Sequence, residues 1–153
     1  MPEIVALLTE AGATLVRDFG PGHWAGKSTE RGLRFEMTRG RFFVARVRGR
    51  IVATLCLATR KPWSIDPAYF TPVKRPLYLS SMAILPRRQR KGVGRACLDE
   101  ALRLAREWPA QSIRLDAYDA PAGAGGFYAR CGYREVGRVV YRKVPLVYYE
   151  RVL

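Results

Sequence analysis

"RRQRKGVGRACLDEAL", Arg87–Leu102, is the stretch from which the rest of the chain can be read. It sets two glycines, Gly92 and Gly94, behind a basic run and at the head of an apolar-striped helix. Glycine at a helix start costs about 0.5–1 kcal/mol of backbone entropy relative to alanine. An anion that needs bare backbone N–H groups at close range would offset that cost; an ordinary glycine-rich turn is the plainer alternative. Past the glycines, Val93, Cys97, Ala101 and Leu104 form the stripe, with Leu98, Leu102, Ala105 and Trp108 beside them. Arg95, Asp99, Arg103 and Arg106 cover the other side, and Pro109 ends the helix.

The elements on either side follow from periodicity and punctuation. "LYLSSMAIL" (77–85) reads as a strand closed by Pro86, and "SIRLDAY" as the strand after the helix. "PAGAGGFYARC" reads as a short helix with Pro121 near its first turn and Gly132 as its cap. "REVGRVVYR" and "VPLVYYERV" form a closing hairpin. Upstream, "RFFVARV" and "RIVATLCLA" flank Arg48-Gly49 as another hairpin. Ile4, Leu8, Ala11 and Leu15 have helical spacing until "GPG" stops it, and a second helix starts with Ser28 as N-cap and runs to about Thr38. The proline- and aromatic-rich "TRKPWSIDPAYFTPVKRP" connects the first hairpin to strand 77–85 and is long enough to suggest function. This order predicts an α/β (α+β) fold: a mixed, mostly antiparallel sheet with helices on both faces, in one domain spanning 1–153.

The chain has 153 residues, 48% of them hydrophobic, enough for a full core. No apolar run approaches the roughly 20 residues of a membrane span, so no membrane partner is expected. The start, "MPEIVALLTE", lacks the basic segment and cleavage site of a secretion signal. Cys56, Cys97 and Cys131 follow no metal pattern, so no metal is expected, and reduced thiols fit a cytoplasmic protein. A net charge of +14 calls for a polyanion or an anionic ligand, or serves solubility alone. The charge is spread along the chain with a modest focus at 87–95.

Three phosphate-binding patterns compete at the glycines. The dinucleotide fingerprint needs a third glycine where Cys97 stands, and the nucleoside-triphosphate loop's Gly-Lys-Ser/Thr ending is absent. What is present is Gln89-x-x-Gly92-x-Gly94 after a strand and before a helix. Its successive N–H groups from Arg90 to Arg95 form a nest at the positive end of the helix dipole, suited to a pyrophosphate, with Lys91 and Arg95 adding charge. This segment resembles the acyl-coenzyme A motif, Arg/Gln-x-x-Gly-x-Gly/Ala, of the GNAT superfamily of N-acetyltransferases. "MAILP" before it, "FYARCGYREVG" after it and the element order from about residue 3 onward strengthen the resemblance.

The resemblance implies acetyl-CoA as acyl donor, direct transfer to an amine acceptor (a small molecule or a protein N-terminus) and no covalent enzyme intermediate. It implies a sheet that splays at strand 77–85, where the N–H groups of Met82 and Ile84, with Ala83 between them, face the pantetheine and the thioester carbonyl. Gln89, Arg90, Lys91, Gly92, Val93, Gly94 and Arg95 would hold the pyrophosphate. Tyr128 matches the family's tyrosine near the thioester sulfur, where a phenol of pKa about 10 can protonate the leaving thiolate; a core aromatic is the other reading, a role that Phe127 also suits. A homodimer is compatible by the same analogy. The chain departs from the family in carrying Pro121 where an asparagine is frequent, and in opening with a helix, so that either the first family strand is missing or the start is displaced.

An amine acceptor must lose a proton before it attacks. Alternation on "SIRLDAY" places Arg114, Asp116 and Tyr118 on one face. Asp116 precedes Tyr128 by twelve positions, the offset of the catalytic glutamate in the branch that acetylates ribosomal-protein N-termini. Asp116 is therefore either the base, with Ser80 and Ser81 ordering its water, or a structural partner of Arg114. His23 lies among turn residues and reads as a surface group. For the acceptor, the first helices, the long loop and the last hairpin offer Trp24, Trp63, Asp66, Tyr69, Phe70, Tyr141 and Arg142. Two other readings stay open: a basic nucleic-acid-binding module, and a coenzyme A-binding relative without turnover.

Overall fold

Arg48 and Gly49 both take positive φ, 49° and 79°. That two-residue turn folds β1 (Arg41–Val47) back on β2 (Arg50–Ala58). The computed structural model, which describes residues 1–153, extends this hairpin into one six-stranded sheet of order β1-β2-β3-β4-β6-β5. The other strands are β3 (Pro76–Ile84), β4 (Ser112–Tyr118), β5 (Arg134–Tyr141) and β6 (Val144–Val152). Every pairing is antiparallel except β3 with β4. The helices are α1 (Pro2–Phe19), α2 (Glu30–Met37), α3 (Val93–Glu107) and α4 (Gly125–Arg130), and no strand precedes α1.

Strand alternation sorts the side chains onto two faces. Ala53, Leu55 and Leu57, Leu77 and Leu79, Ile113 and Leu115, and Val147 and Tyr149 pack with α3 and α4 in the main core. On the opposite face, Ile4, Leu7 and Leu33 of α1 and α2 meet Val52, while the long loop lays Ile65 and Phe70 on Tyr78 and Tyr148. Helices therefore cover both faces, with the loop completing one of them.

The parallel ladder between β3 and β4 joins only Pro76 with Ser112, Leu77 with Ile113 and Tyr78 with Arg114. Beyond it β3 pairs only with β2 and β4 only with β6, so the two strands diverge into a cleft. At the root of the split lies a buried polar knot. The Arg114 guanidinium donates to Tyr78 Oη (3.1 Å) and to Thr71 O (2.8 Å), and lies over the Phe70 ring. Glu150, 1% exposed, accepts from Thr71 N (3.1 Å), Thr71 Oγ1 (2.6 Å) and Arg134 (2.7 Å). These bonds fasten the end of the loop to the sheet.

Three expectations change. Thr29, not Ser28, caps α2, its hydroxyl accepting from Gly32 N at 3.1 Å. Pro121 lies outside α4, because the chain first makes a tight turn in which Gly123 N donates to Ala120 O. Arg114 does not pair with Asp116: its guanidinium is turned to the loop and its aromatic neighbours.

Burial alone would raise the pKa of Glu150, but its bonds from Thr71 and Arg134 together hold it below the usual carboxylate range. A lowered folded-state pKa contributes stability above the unfolded value and loses it as pH falls through the folded one. Glu150→Gln is expected to lower stability by about 1–3 kcal/mol at pH 7, several degrees in Tm. The gap to wild type should close in acid, which thermal melts from pH 7 down to pH 3 would check.

Candidate active site

The cleft between the diverging strands has a volume of about 620 Å³. Its walls are Leu79–Met82 of β3, Asp116–Tyr118 of β4, Ala122–Ala124 and Tyr128, with Ser64 contributed by the loop. From Leu79 to Ile84 the β3 edge toward β4 carries no ladder, so backbone groups of the Met82–Ala83–Ile84 segment are available to a ligand in the split.

At the end of β3 the chain turns through Leu85 and Pro86 into the glycine loop. Gln89 Nε2 donates to Ile84 O (3.2 Å), bracing that turn. The amides of six successive residues, Arg90 to Arg95, donate to no acceptor within the protein. Gly92 takes the left-handed turn into α3 at φ 81°, with open space where a side chain would stand. This is a nest at a helix N-terminus, with Lys91 exposed beside it. Gly94 has a different reason. A Cβ there would lie 2.9 Å from Phe127 Cζ, so this glycine admits the Phe127 ring of α4. Arg95 is also partly diverted, since Nη2 donates to Arg130 O (3.1 Å) at the end of α4. Val93 packs inward against both cores.

Tyr128 is a core aromatic whose hydroxyl also borders the cleft. Its ring belongs to the main core, 7% exposed, while its hydroxyl reaches the cleft and donates to Met82 Sδ (3.7 Å). Burial, then the neighbouring Tyr133, Asp116 and Cys131, raise its pKa, so the phenol keeps its proton. Phe127 packs against the main core as a partly buried neighbour.

Asp116 faces the cleft from β4 and accepts a hydrogen bond from Ser64 Oγ at 2.5 Å. Burial raises its pKa, opposed by the bonds from Ser64 and from its own backbone. Ser64 lies in an irregular loop, where no periodicity marks it. Ser80 and Ser81 do not serve Asp116; both hydroxyls donate to the Glu36 carboxylate of α2, at 2.8 and 2.7 Å.

A second groove of about 530 Å³ shares Ser64 and Tyr141 with the cleft, and there Trp63, Asp66, Tyr69 and Tyr141 come together. Asp66 Oδ1 also caps the turn at Ala68 N (2.9 Å). The other acceptor candidates lie elsewhere. Phe70 is buried and stacked on Tyr148, because the loop needs an apolar anchor. Trp24 packs edge-on against Tyr118 and donates Nε1 to Gly20 O, bracing the cleft from behind. Arg142 occupies the β5–β6 turn at φ 47°, its guanidinium over Tyr141. His23 is exposed; its carbonyl accepts from Tyr118 Oη.

The sequence model of the acetyltransferase (GNAT) family matches residues 10–133. The chain belongs to that family of acetyltransferases. A ribosomal-protein-alanine N-acetyltransferase from Brucella melitensis superposes with a TM-score of 0.70 at 17% identity, over 99% of this chain and 95% of that one. A GNAT family acetyltransferase from Elizabethkingia anophelis, with acetyl-CoA bound, gives 0.62 at 13%, covering 82% and 84%. An acetyltransferase from Bacillus anthracis in complex with acetyl coenzyme A gives 0.60 at 16%, over 75% of this chain and 63% of its own length. No curated protein matches the chain significantly by sequence. The mixed, mostly antiparallel sheet is the fold of this family. No helix is long and apolar enough to cross a membrane.

Two outcomes follow from the geometry. Gly94→Val should lower Tm even without ligand, because the new side chain meets Phe127; Gly94→Val combined with Phe127→Ala should recover part of the loss. Asp116→Asn should be neutral or raise Tm by up to a few degrees at pH 7 to 8. A raised folded-state pKa stabilises at low pH and is lost as pH rises through it, so the variant's advantage should vanish near pH 4.

Proposed function

We propose that residues 1–153 act as one domain that transfers the acetyl group of acetyl-CoA directly to a primary amine. The observation that carries this reading is the combination of six free amides at the start of α3 with a split sheet holding Asp116 and Tyr128. The same features fit the donor: the amides suit its pyrophosphate, and the open β3 edge suits its extended amide-containing arm.

Acetyl-CoA supplies a thioester that a neutral amine can attack. The acceptor enters from the groove of Trp63, Asp66, Tyr69 and Tyr141, which opens on the cleft at Ser64. Asp116 takes the ammonium proton, directly or through a water; its raised proton affinity suits a base better than an exposed aspartate would. Ser64 orients the carboxylate. Backbone N–H groups of the Met82–Ile84 edge polarise the carbonyl. Tyr128, protonated throughout the physiological range, gives its proton to the departing sulfur and regains one from the acylated nitrogen, which sheds its second proton as the amide forms. Three buried free thiols favour a reducing compartment, and we place the protein in the cytoplasm.

A screen of amines with acetyl-CoA, following free thiol, tests the reading: release should require both substrates. Tyr128→Phe should lower kcat by about 10²-fold with coenzyme affinity nearly unchanged. Asp116→Asn should slow the reaction at pH 7 and recover as pH rises and free amine becomes abundant. Acetyl-CoA at 100 times its Kd should stabilise the protein by about 2.7 kcal/mol, and adenosine by much less. Absence of that shift would refute the donor assignment.

A further inference from the structure

Between the pairs Thr54–Ala83 and Cys56–Ser80, β2 contributes one residue, Leu55, while β3 contributes two, Ser81 and Met82. The extra residue makes a β-bulge, and such bulges re-aim the backbone and side chains that follow. Ser81 adopts φ 48°, a left-handed conformation that a residue with a Cβ resists. Something must hold it there.

Two groups do so. Thr54 Oγ1 donates to Ser81 O (2.9 Å) from the neighbouring strand. The Glu36 carboxylate accepts from Ser80 Oγ (2.8 Å) and, through both oxygens, from Ser81 Oγ (2.7 and 2.8 Å). Just beyond α2, Gly40 lies so close to β2 that a Cβ there would be 2.7 Å from Cys56 Sγ. The end of α2 is thus seated against the strand opposite the bulge, and Glu36 has little freedom to withdraw.

The bulge forms the cleft wall. Ser80, Ser81 and Met82 line the cleft, and Met82 Sδ receives the Tyr128 hydroxyl. Glu36 itself lies outside that lining. We propose that Glu36 is a positioning residue: it locks the β3 bulge in the shape that presents the Met82–Ile84 edge to the acetyl carbonyl. This role rests on the acetyltransferase reading above. It also makes α2 part of the support of β3.

The test compares Glu36→Ala and Glu36→Gln with wild type by amide hydrogen exchange over residues 79–84 and by steady-state kinetics. Glu36→Ala should exchange those amides about tenfold faster or more and lower kcat at saturating acetyl-CoA by about tenfold or more. Its affinity for free coenzyme A, which has no acetyl carbonyl, should stay within about twofold of wild type. Glu36→Gln, whose amide oxygen can still accept from the serines, should recover most of both losses. Ser80→Ala with Ser81→Ala should reproduce the effect from the strand side, and adding Glu36→Ala to that pair should cost little more. Unchanged exchange in Glu36→Ala, or unchanged kcat, overturns the proposal, as does a kcat loss matched by an equal loss of coenzyme A affinity. A wild-type protein that acetylates no amine would instead refute the enzymatic reading, and the exchange measurement would still decide whether Glu36 holds the bulge.

Discussion

A parallel strand pair that hydrogen-bonds for three residues and then parts is the constraint on which the rest of this structure depends. Strands side by side in a sheet satisfy each other's backbone groups, and a buried N–H without a partner is costly. Holding β3 and β4 apart therefore requires an anchor at the root, a support along the flare and something polar to take the freed edge. The Arg114–Tyr78–Thr71–Glu150 knot is the anchor. The Ser81 bulge is the support. The polar partner we propose is the amide-rich arm of the acyl donor.

Three charged side chains near the split are handled in three ways, and the differences separate structure from chemistry. Glu150 is enclosed and supplied with hydrogen bonds from Thr71 and Arg134, so it stays ionised and serves to fasten the loop. Arg114 lies between the rings of Phe70 and Tyr78, where a guanidinium is better tolerated than an ammonium would be. Asp116 has a single side-chain partner, Ser64, and faces the cleft. Its burial is undercompensated, so its proton affinity rises. The poorly satisfied carboxylate is the one suited to exchange a proton; the well-satisfied one is not.

Much of this was legible in the sequence. The helix after Gly94, the Arg48-Gly49 hairpin and the Gln89-x-x-Gly92-x-Gly94 loop were readable because periodicity, turn chemistry and free helix-start amides are properties of neighbouring residues. Alternation on "SIRLDAY" put Asp116 on the face away from Ile113 and Leu115 for the same reason, and the structure shows that it lines the cleft. Local pattern misled where a distant group made the decision. The sequence showed no sign that Gly94 also makes room for the Phe127 ring, and Phe70 looked like an acceptor residue until the loop was seen to bury it on Tyr148.

The sequence by itself determined the order of elements and the glycine loop at the head of α3, and it singled out Asp116 and Tyr128 as candidates. Tertiary structure alone decided how these are held. Ser64 meets Asp116 across 52 positions, Glu36 meets Ser80 and Ser81 across 44 and 45, and Thr71 meets Glu150 across 79. No short-range rule links such pairs. A hydrogen bond specifies its partner only within about 3 Å, and which side chains come that close is fixed by how the loop and α2 pack on the sheet.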